Sequence, residues 1–183
     1  DAPMGTPVYT CPSTSGAKNA RQMAYNPQTR AFYIPMSLNC STRVYLPAAN
    51  GELGGECCRV NMFQPKFKGM AAQVLALDVF GKELWAYRQA AQLASPAMTT
   101  AGGLVFVGDT DRYMHALDAA TGKVLWRSPR MLTKLSGSPV TFTADGRPGA
   151  HGSPSLPTCR TCSIRAGPEM GSCIGSRARC PAR

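Results

Sequence analysis

Residues 98–128 read MTTAGGLVFVGDTDRYMHALDAATGKVLWRS, and their pattern decides the fold. Gly102-Gly103 leads into an apolar, β-branched and aromatic run at 104–107, which Gly108-Asp109 ends. A second strand is expected over 113–117, closed by Asp118-Ala119-Ala120-Thr121-Gly122, a turn built of residues that tolerate tight backbone geometry. A third spans 123–127, with Trp126 near its end.

Upstream, 76–85 (ALDVFGKELW) repeats 116–126 (ALDAATGKVLW) with one residue fewer in the turn. The period is 40 residues from Ala76 to Ala116 and 41 from Trp85 to Trp126. Four short strands per period in the low forties are the signature of a β-propeller blade. A lone four-stranded sheet has two apolar faces and buries them only by stacking on neighbours around a ring. One tryptophan per unit offers a large flat surface for that stacking, so Trp85 and Trp126 are assigned to blade docking and not to chemistry. Asp78 and Asp118 recur at equivalent turn positions, which argues for capping of the turn by the carboxylate. Catalysis needs one such residue, not one per blade.

Other segments fit the same plan. Residues 1–20 are rich in Pro, Ser and Gly and read as loop, while 22–26 and 31–36 read as a hairpin across Pro27-Gln28-Thr29-Arg30. Strands are expected at 74–79, 83–88 and 140–143. Over 38–70, Pro47, Asn50-Gly51, Gly54-Gly55, Pro65 and Gly69 break the periodicity, so a long excursion between strands is expected there. No stretch holds a helical stripe. The fold class is therefore all-β: residues 1–146 form a partial β-propeller of antiparallel four-stranded blades. One blade covers 22–88 with the insertion 38–70, one covers 94–128, and 137–143 starts the next. About two blades do not close a ring of four to eight, so a fragment is expected.

The chain carries 20 Lys and Arg against 10 Asp and Glu, a formal charge of +10 over 183 residues. The excess is uneven, because 147–183 holds six Arg and one Glu but no aromatic residue, which argues against a nucleic-acid surface. No apolar run approaches the roughly 20 residues of a membrane helix, and Asp1-Ala2-Pro3-Met4 has neither the charged start nor the apolar core of a secretory leader. Eight cysteines point to an oxidising compartment. From Arg147 the composition changes to Arg, Pro, Gly and Cys. Cys159 and Cys162, with Cys173 and Cys180, suit zinc poorly in spacing. A disordered or disulfide-bonded tail and out-of-frame translation are the other readings, and under each of them 147–183 lacks a packed core and the partner of strand 140–143 does not arrive.

The pattern A-L-D-x-x-T-G-K-x-x-W followed by S-P-V-T-F resembles the tryptophan-docking repeats of the quinoprotein alcohol dehydrogenases, which include methanol dehydrogenase. Cys11-Pro12-Ser13, Lys18-Asn19, 23–29 (MAYNPQT), 32–35 (FYIP) and Cys40 resemble a family segment in the same order, and 100–106 (TAGGLVF) resembles a family strand. The resemblance covers roughly residues 8–146. It implies an eight-bladed propeller and periplasmic oxidation of a small-molecule alcohol. It further implies that pyrroloquinoline quinone (PQQ) takes up two electrons, that Ca²⁺ or a lanthanide acts as Lewis acid, and that a cytochrome accepts the electrons. It also implies that the metal ligands, the catalytic Asp and the adjacent-cysteine disulfide of the family come from earlier blades, so that this chain carries no catalytic or metal-binding residue and is inactive alone. The same repeat also suits a non-catalytic envelope scaffold that binds protein partners.

By the resemblance, Asn19 is a cofactor-binding residue whose amide can donate to a quinone carbonyl without adding charge. Ala20 stands where many relatives have Trp. Ser95, in Ala94-Ser95-Pro96, falls where methanol dehydrogenase-like members place a Trp-Gly-Gly at the quinone edge, and its hydroxyl is the second cofactor-binding candidate. Cys11 and Cys40 match a bridged pair of the family. Cys57-Cys58 lies in the insertion, out of register with the family's adjacent pair, and reads as two free cysteines in a loop. His115 has no His, Asp or Glu at metal-ligand spacing and reads as a strand histidine.

Overall fold

The computed structural model describes residues 3–13, 15–47, 54–144, 147–152 and 162–165. The first blade is a sheet of β2 (Ala24–Asn26), β3 (Ala31–Ser37), β6 (Ala72–Asp78) and β7 (Glu83–Gln89), in that spatial order. All its pairings are antiparallel. The second is β8 (Met98–Thr99), β9 (Leu104–Gly108), β10 (Met114–Asp118) and β11 (Val124–Arg127), again an antiparallel meander. These are the two blades expected from the repeat. The protein is an all-β propeller chain, and among the described residues its one helical element is a short 3₁₀ turn at Pro65–Phe67.

The two blades stack face to face. Along β3 the residues Ala31, Tyr33 and Pro35 alternate inward, as a pleated strand with one buried face requires. Ala31, Tyr33, Ala72, Val74 and Ala76 of the first blade meet Val105, Val107, Leu117 and Ala119 of the second in one buried cluster. Alanines and Tyr33 dominate the first blade's side of this cluster, and Val105, Val107 and Leu117 dominate the second's. A second cluster on the far face of the second blade holds Phe106, Met114, Ala116 and Leu135, with Trp126 packed against it.

Three expectations need correction. Within 38–70, where an excursion without strands was expected, β4 (Asn39–Leu46) and β5 (Gly55–Phe63) pair as a long antiparallel hairpin. Residues 1–20 are not all loop either, because β1 (Val8–Thr10) adds to β4 and makes a three-stranded sheet. The strand after 140–143 does arrive. Val140–Ala144 (β12) pairs with Arg147–Gly152 (β13), which pairs with Cys162–Arg165 (β14). The other tail residues, Cys159, Cys173 and Cys180 among them, lie outside the described residues.

Candidate functional site

The hairpin β4–β5, the segment 11–22 and the entry to the second blade enclose an open polar recess of about 680 Å³. Backbone hydrogen bonds hold the segment in place: Ser13 N–H donates to Asn39 O (2.7 Å) and Ser37 N–H donates to Ala17 O (2.7 Å). A disulfide joins Cys11 to Cys40, tying the segment to β4.

Asn19 lines this recess. Its Nδ2 donates to Ser15 O (3.0 Å), and its Oδ1 accepts from the Ala20 amide (2.7 Å). An amide nitrogen has two hydrogens, so one donor is left for a ligand. Two residues on, half-buried Arg21 faces the same space, and burial lowers the pKa of its guanidinium. Among the described residues it has no ion-pair partner. Arg59 also lines the recess but is held by Glu56, at 2.6 Å from Nε to Oε1 and 2.9 Å from Nη2 to Oε2. Asn39 Oδ1 is buried there without a hydrogen-bond partner.

Ser95 is placed differently from Asn19. It is 1% exposed, and its hydroxyl donates to Pro96 O (2.8 Å) while accepting from Gly108 N–H (2.7 Å). Its neighbours Ala94 and Pro96 line the recess, and the serine hydroxyl stands behind them, holding the turn to β9.

The docking tryptophans behave unequally within the described residues. Trp85 Nε1–H donates to Ala119 O of the next blade (3.1 Å), and its ring stacks on Tyr33 (5.6 Å between centroids). Tyr33 OH donates to the same carbonyl (2.9 Å). Trp126 packs against the cluster of Phe106, Met114, Ala116 and Leu135, and the turn after β14 that corresponds to Asp118–Gly122 lies outside the described residues. Both turn aspartates cap as expected. Asp78 Oδ1 accepts from the amides of Phe80 and Lys82, and Asp118 Oδ1 accepts from the amides of Ala120 and Thr121. Hydrogen bonds from Thr121 hold the Asp118 carboxyl below its ordinary pKa.

One pairing and one placement were not foreseen. His115 Nε2 lies 2.7 Å from Asp109 Oδ2, with both residues buried, so the histidine does have a carboxylate partner. Residues 109 and 115 flank the β9–β10 turn, and a hairpin returns such residues to one another. Burial alone pushes the Asp109 carboxyl up, but hydrogen bonds from His115 and from the Tyr113 amide outweigh it and leave the pKa lowered. Cys57 and Cys58 sit on strand β5, not in a loop, and both are exposed.

The family model "Glucose/ethanol/alcohol dehydrogenase, beta-propeller domain" matches residues 67–148. The chain is 32% identical over 144 residues to quinoprotein alcohol dehydrogenase PedH of Pseudomonas putida, covering 78% of this chain and 24% of that protein. The chain belongs to the quinoprotein alcohol dehydrogenase family. It is 29% identical over 136 residues to the lanthanide-dependent methanol dehydrogenase of Methylacidiphilum fumariolicum, covering 72% of this chain and 22% of that one. A europium-containing methanol dehydrogenase superposes with a TM-score of 0.70 at 26% identity, over 81% of this chain and 27% of that structure. The chain thus spans about a quarter of the length of these quinoprotein relatives.

The recess can be tested against the groups this family uses. Amides from Asn19, Asn39 and Gln92 beside the unpaired guanidinium of Arg21 suit a planar quinone bearing carboxylates, which needs hydrogen-bond donors and positive charge. A Ca²⁺ or lanthanide ion needs several oxygen ligands, carboxylates foremost. Among the described residues the recess lining has no Asp or Glu, so these residues do not make a metal site and no metal-dependent step is assigned to them. No helix among the described residues is long and apolar enough to cross a membrane.

Proposed function

We propose that this chain is part of a periplasmic PQQ-dependent dehydrogenase that oxidises a small alcohol and passes electrons to a cytochrome. The carrying observation is the recess. A disulfide-tied segment presents Asn19 and Arg21 into a polar space walled by the β4–β5 hairpin and the turn at Ala94 and Pro96. When bound there, the quinone supplies a two-electron acceptor for the alcohol. The chain's own residues bind and orient. Asn19 gives a neutral hydrogen bond that does not bias the charge of a quinone oxygen. Arg21, partly desolvated, gives a carboxylate a stronger partner than an exposed arginine would. Ser95 fixes the wall from behind through Gly108 and Pro96. The metal ligands and the proton-accepting carboxylate belong to blades outside this chain, and alone it is inactive.

The experiment joins the chain to the preceding blades of a relative, adds PQQ with Ca²⁺ or a lanthanide, and follows dye-linked oxidation of short alcohols. Oxidation that weakens in Asn19→Ala is the expected result. A complete ring that binds PQQ yet oxidises no alcohol overturns the reading in favour of a non-catalytic scaffold.

A further inference from the structure

Cys57 and Cys58 are neighbours in sequence, and on a regular strand neighbours point to opposite faces. Here their Sγ atoms lie 2.7 Å apart. The register of the hairpin explains it. Val44 pairs with Cys58 and the next residue, Tyr45, pairs with Glu56, so Cys57 is an extra residue without an opposite number. A β-bulge of this kind re-aims a side chain and puts two consecutive ones on one side. An ion-pair clamp brackets the bulge. Glu56 holds Arg59 across the two cysteines through two hydrogen bonds and reaches Arg43 on β4 at 3.2 Å. Both sulfurs are exposed, whereas Cys40 of the Cys11–Cys40 bridge is fully buried.

From this we infer that Cys57 and Cys58 form a reversible dithiol–disulfide couple on the outer strand of the hairpin, open to small-molecule disulfides. Neither cysteine lines the recess, and the inference does not depend on the proposed quinone contacts. In the first step a thiolate of the pair attacks a low-molecular-weight disulfide, forms a mixed disulfide and expels one thiolate. The second cysteine's thiolate then attacks the protein sulfur of that mixed disulfide, expels the other thiolate and closes the Cys57–Cys58 bond. Two electrons pass from the pair to the small disulfide, which leaves as two thiolates, and the two thiol protons go to solvent. The bulge and the clamp supply the proximity that an unstructured Cys-Cys sequence lacks.

Trypsin isolates the pair, because residues 44–59 (VYLPAANGELGGECCR) form one peptide containing these cysteines and no others. The folded 183-residue chain is equilibrated in mixtures of reduced and oxidised glutathione, quenched with acid, alkylated and digested. Expected is an unalkylated peptide lighter by two hydrogens. Its half-oxidation should need about tenfold less oxidising mixtures than a synthetic peptide of the same sequence. Glu56→Gln, which removes the clamp and leaves the sulfurs, should move the midpoint towards that of the synthetic peptide. A peptide that stays fully alkylated, carries glutathione without an internal bond, or oxidises in step with the synthetic peptide overturns the proposal.

Discussion

The indole of Trp85 lies directly on Gly122 of the following blade. A Cβ on Gly122 would fall 2.5 Å from Trp85 Cε3 and 2.7 Å from Cδ2. Gly122 also has φ +72°, in the left-handed region, so its lack of a side chain serves the turn and the contact together. Gly81 holds the same turn position in the first blade, with φ +87° and open space around it. Both substitutions to Ala strain the backbone, but only Gly122→Ala also pushes the docking ring away. Gly122→Ala should cost about 1–3 kcal/mol more than Gly81→Ala, as overpacking does elsewhere. Urea unfolding of the two variants measures the difference. Equal losses would mean that the docking contact carries no weight.

Trp85→Phe keeps a ring over the glycine but removes the hydrogen bond to Ala119 O. Tyr33 still donates to that carbonyl, so the acceptor is not orphaned. The loss should be near the net value of one hydrogen bond, about 1 kcal/mol. Trp85→Ala removes the ring as well and should cost about 3 kcal/mol or more. The same unfolding assay orders the two.

Ser95→Ala leaves the buried Gly108 N–H without its acceptor. The expected cost is about 1–3 kcal/mol, with loss of amide protection at Gly108 in hydrogen exchange. If the completed ring binds quinone, its affinity should change less in this variant than in a recess variant, because Ser95 does not line the recess.

The Asp109–His115 pair should make stability depend on acid. The folded Asp109 pKa is lowered from the ordinary value of 3.8. Its contribution is therefore fully present above that value and is lost as pH falls through the lower, folded one. Asp109→Ala leaves both His115 ring nitrogens unpartnered, since Nδ1 is already without a bond. It should cost about 1–3 kcal/mol near neutral pH, and the gap from the parent protein should narrow below the ordinary carboxylate range. A gap that holds constant into that acid range would contradict the pairing.

In the completed ring, Arg21→Gln and Asn19→Ala should each weaken quinone binding by about tenfold, the worth of one good polar contact. The arginine effect should shrink in high salt and the asparagine effect should not. Equilibrium dialysis with PQQ distinguishes them.

How much could be read from the sequence follows from what buries each strand. The blade strands were legible because their faces pack on neighbours, which leaves alternating apolar positions along β3, a continuous apolar run along β9 and a turn from Asp to Gly repeated in both blades. Strand β5 left no such trace. Nearly all of its residues are exposed, so nothing constrains them to alternate. The Asn50-Gly51 pair that was counted as a loop signal is also a hairpin signal, and it lies between β4 and β5. Asp109 and His115 lie on either side of the β9–β10 turn and become neighbours only once the two strands pair. In the recess, Asn19 was found through resemblance. Arg21 could not be, since an arginine in a loop reads as solvated until the surrounding strands are in place.

The carbonyl of Ala119 receives both Trp85 and Tyr33, and this gives the join between blades a direction. The surface that donates, with its aromatic pair, differs from the surface that accepts, with its turn carbonyl and bare glycine. Such a head-to-tail contact cannot be satisfied by two identical faces meeting. Each unit that is added uses one accepting edge and offers a new donating one. Only a constant rotation from unit to unit, returning the last edge to the first, leaves neither kind exposed.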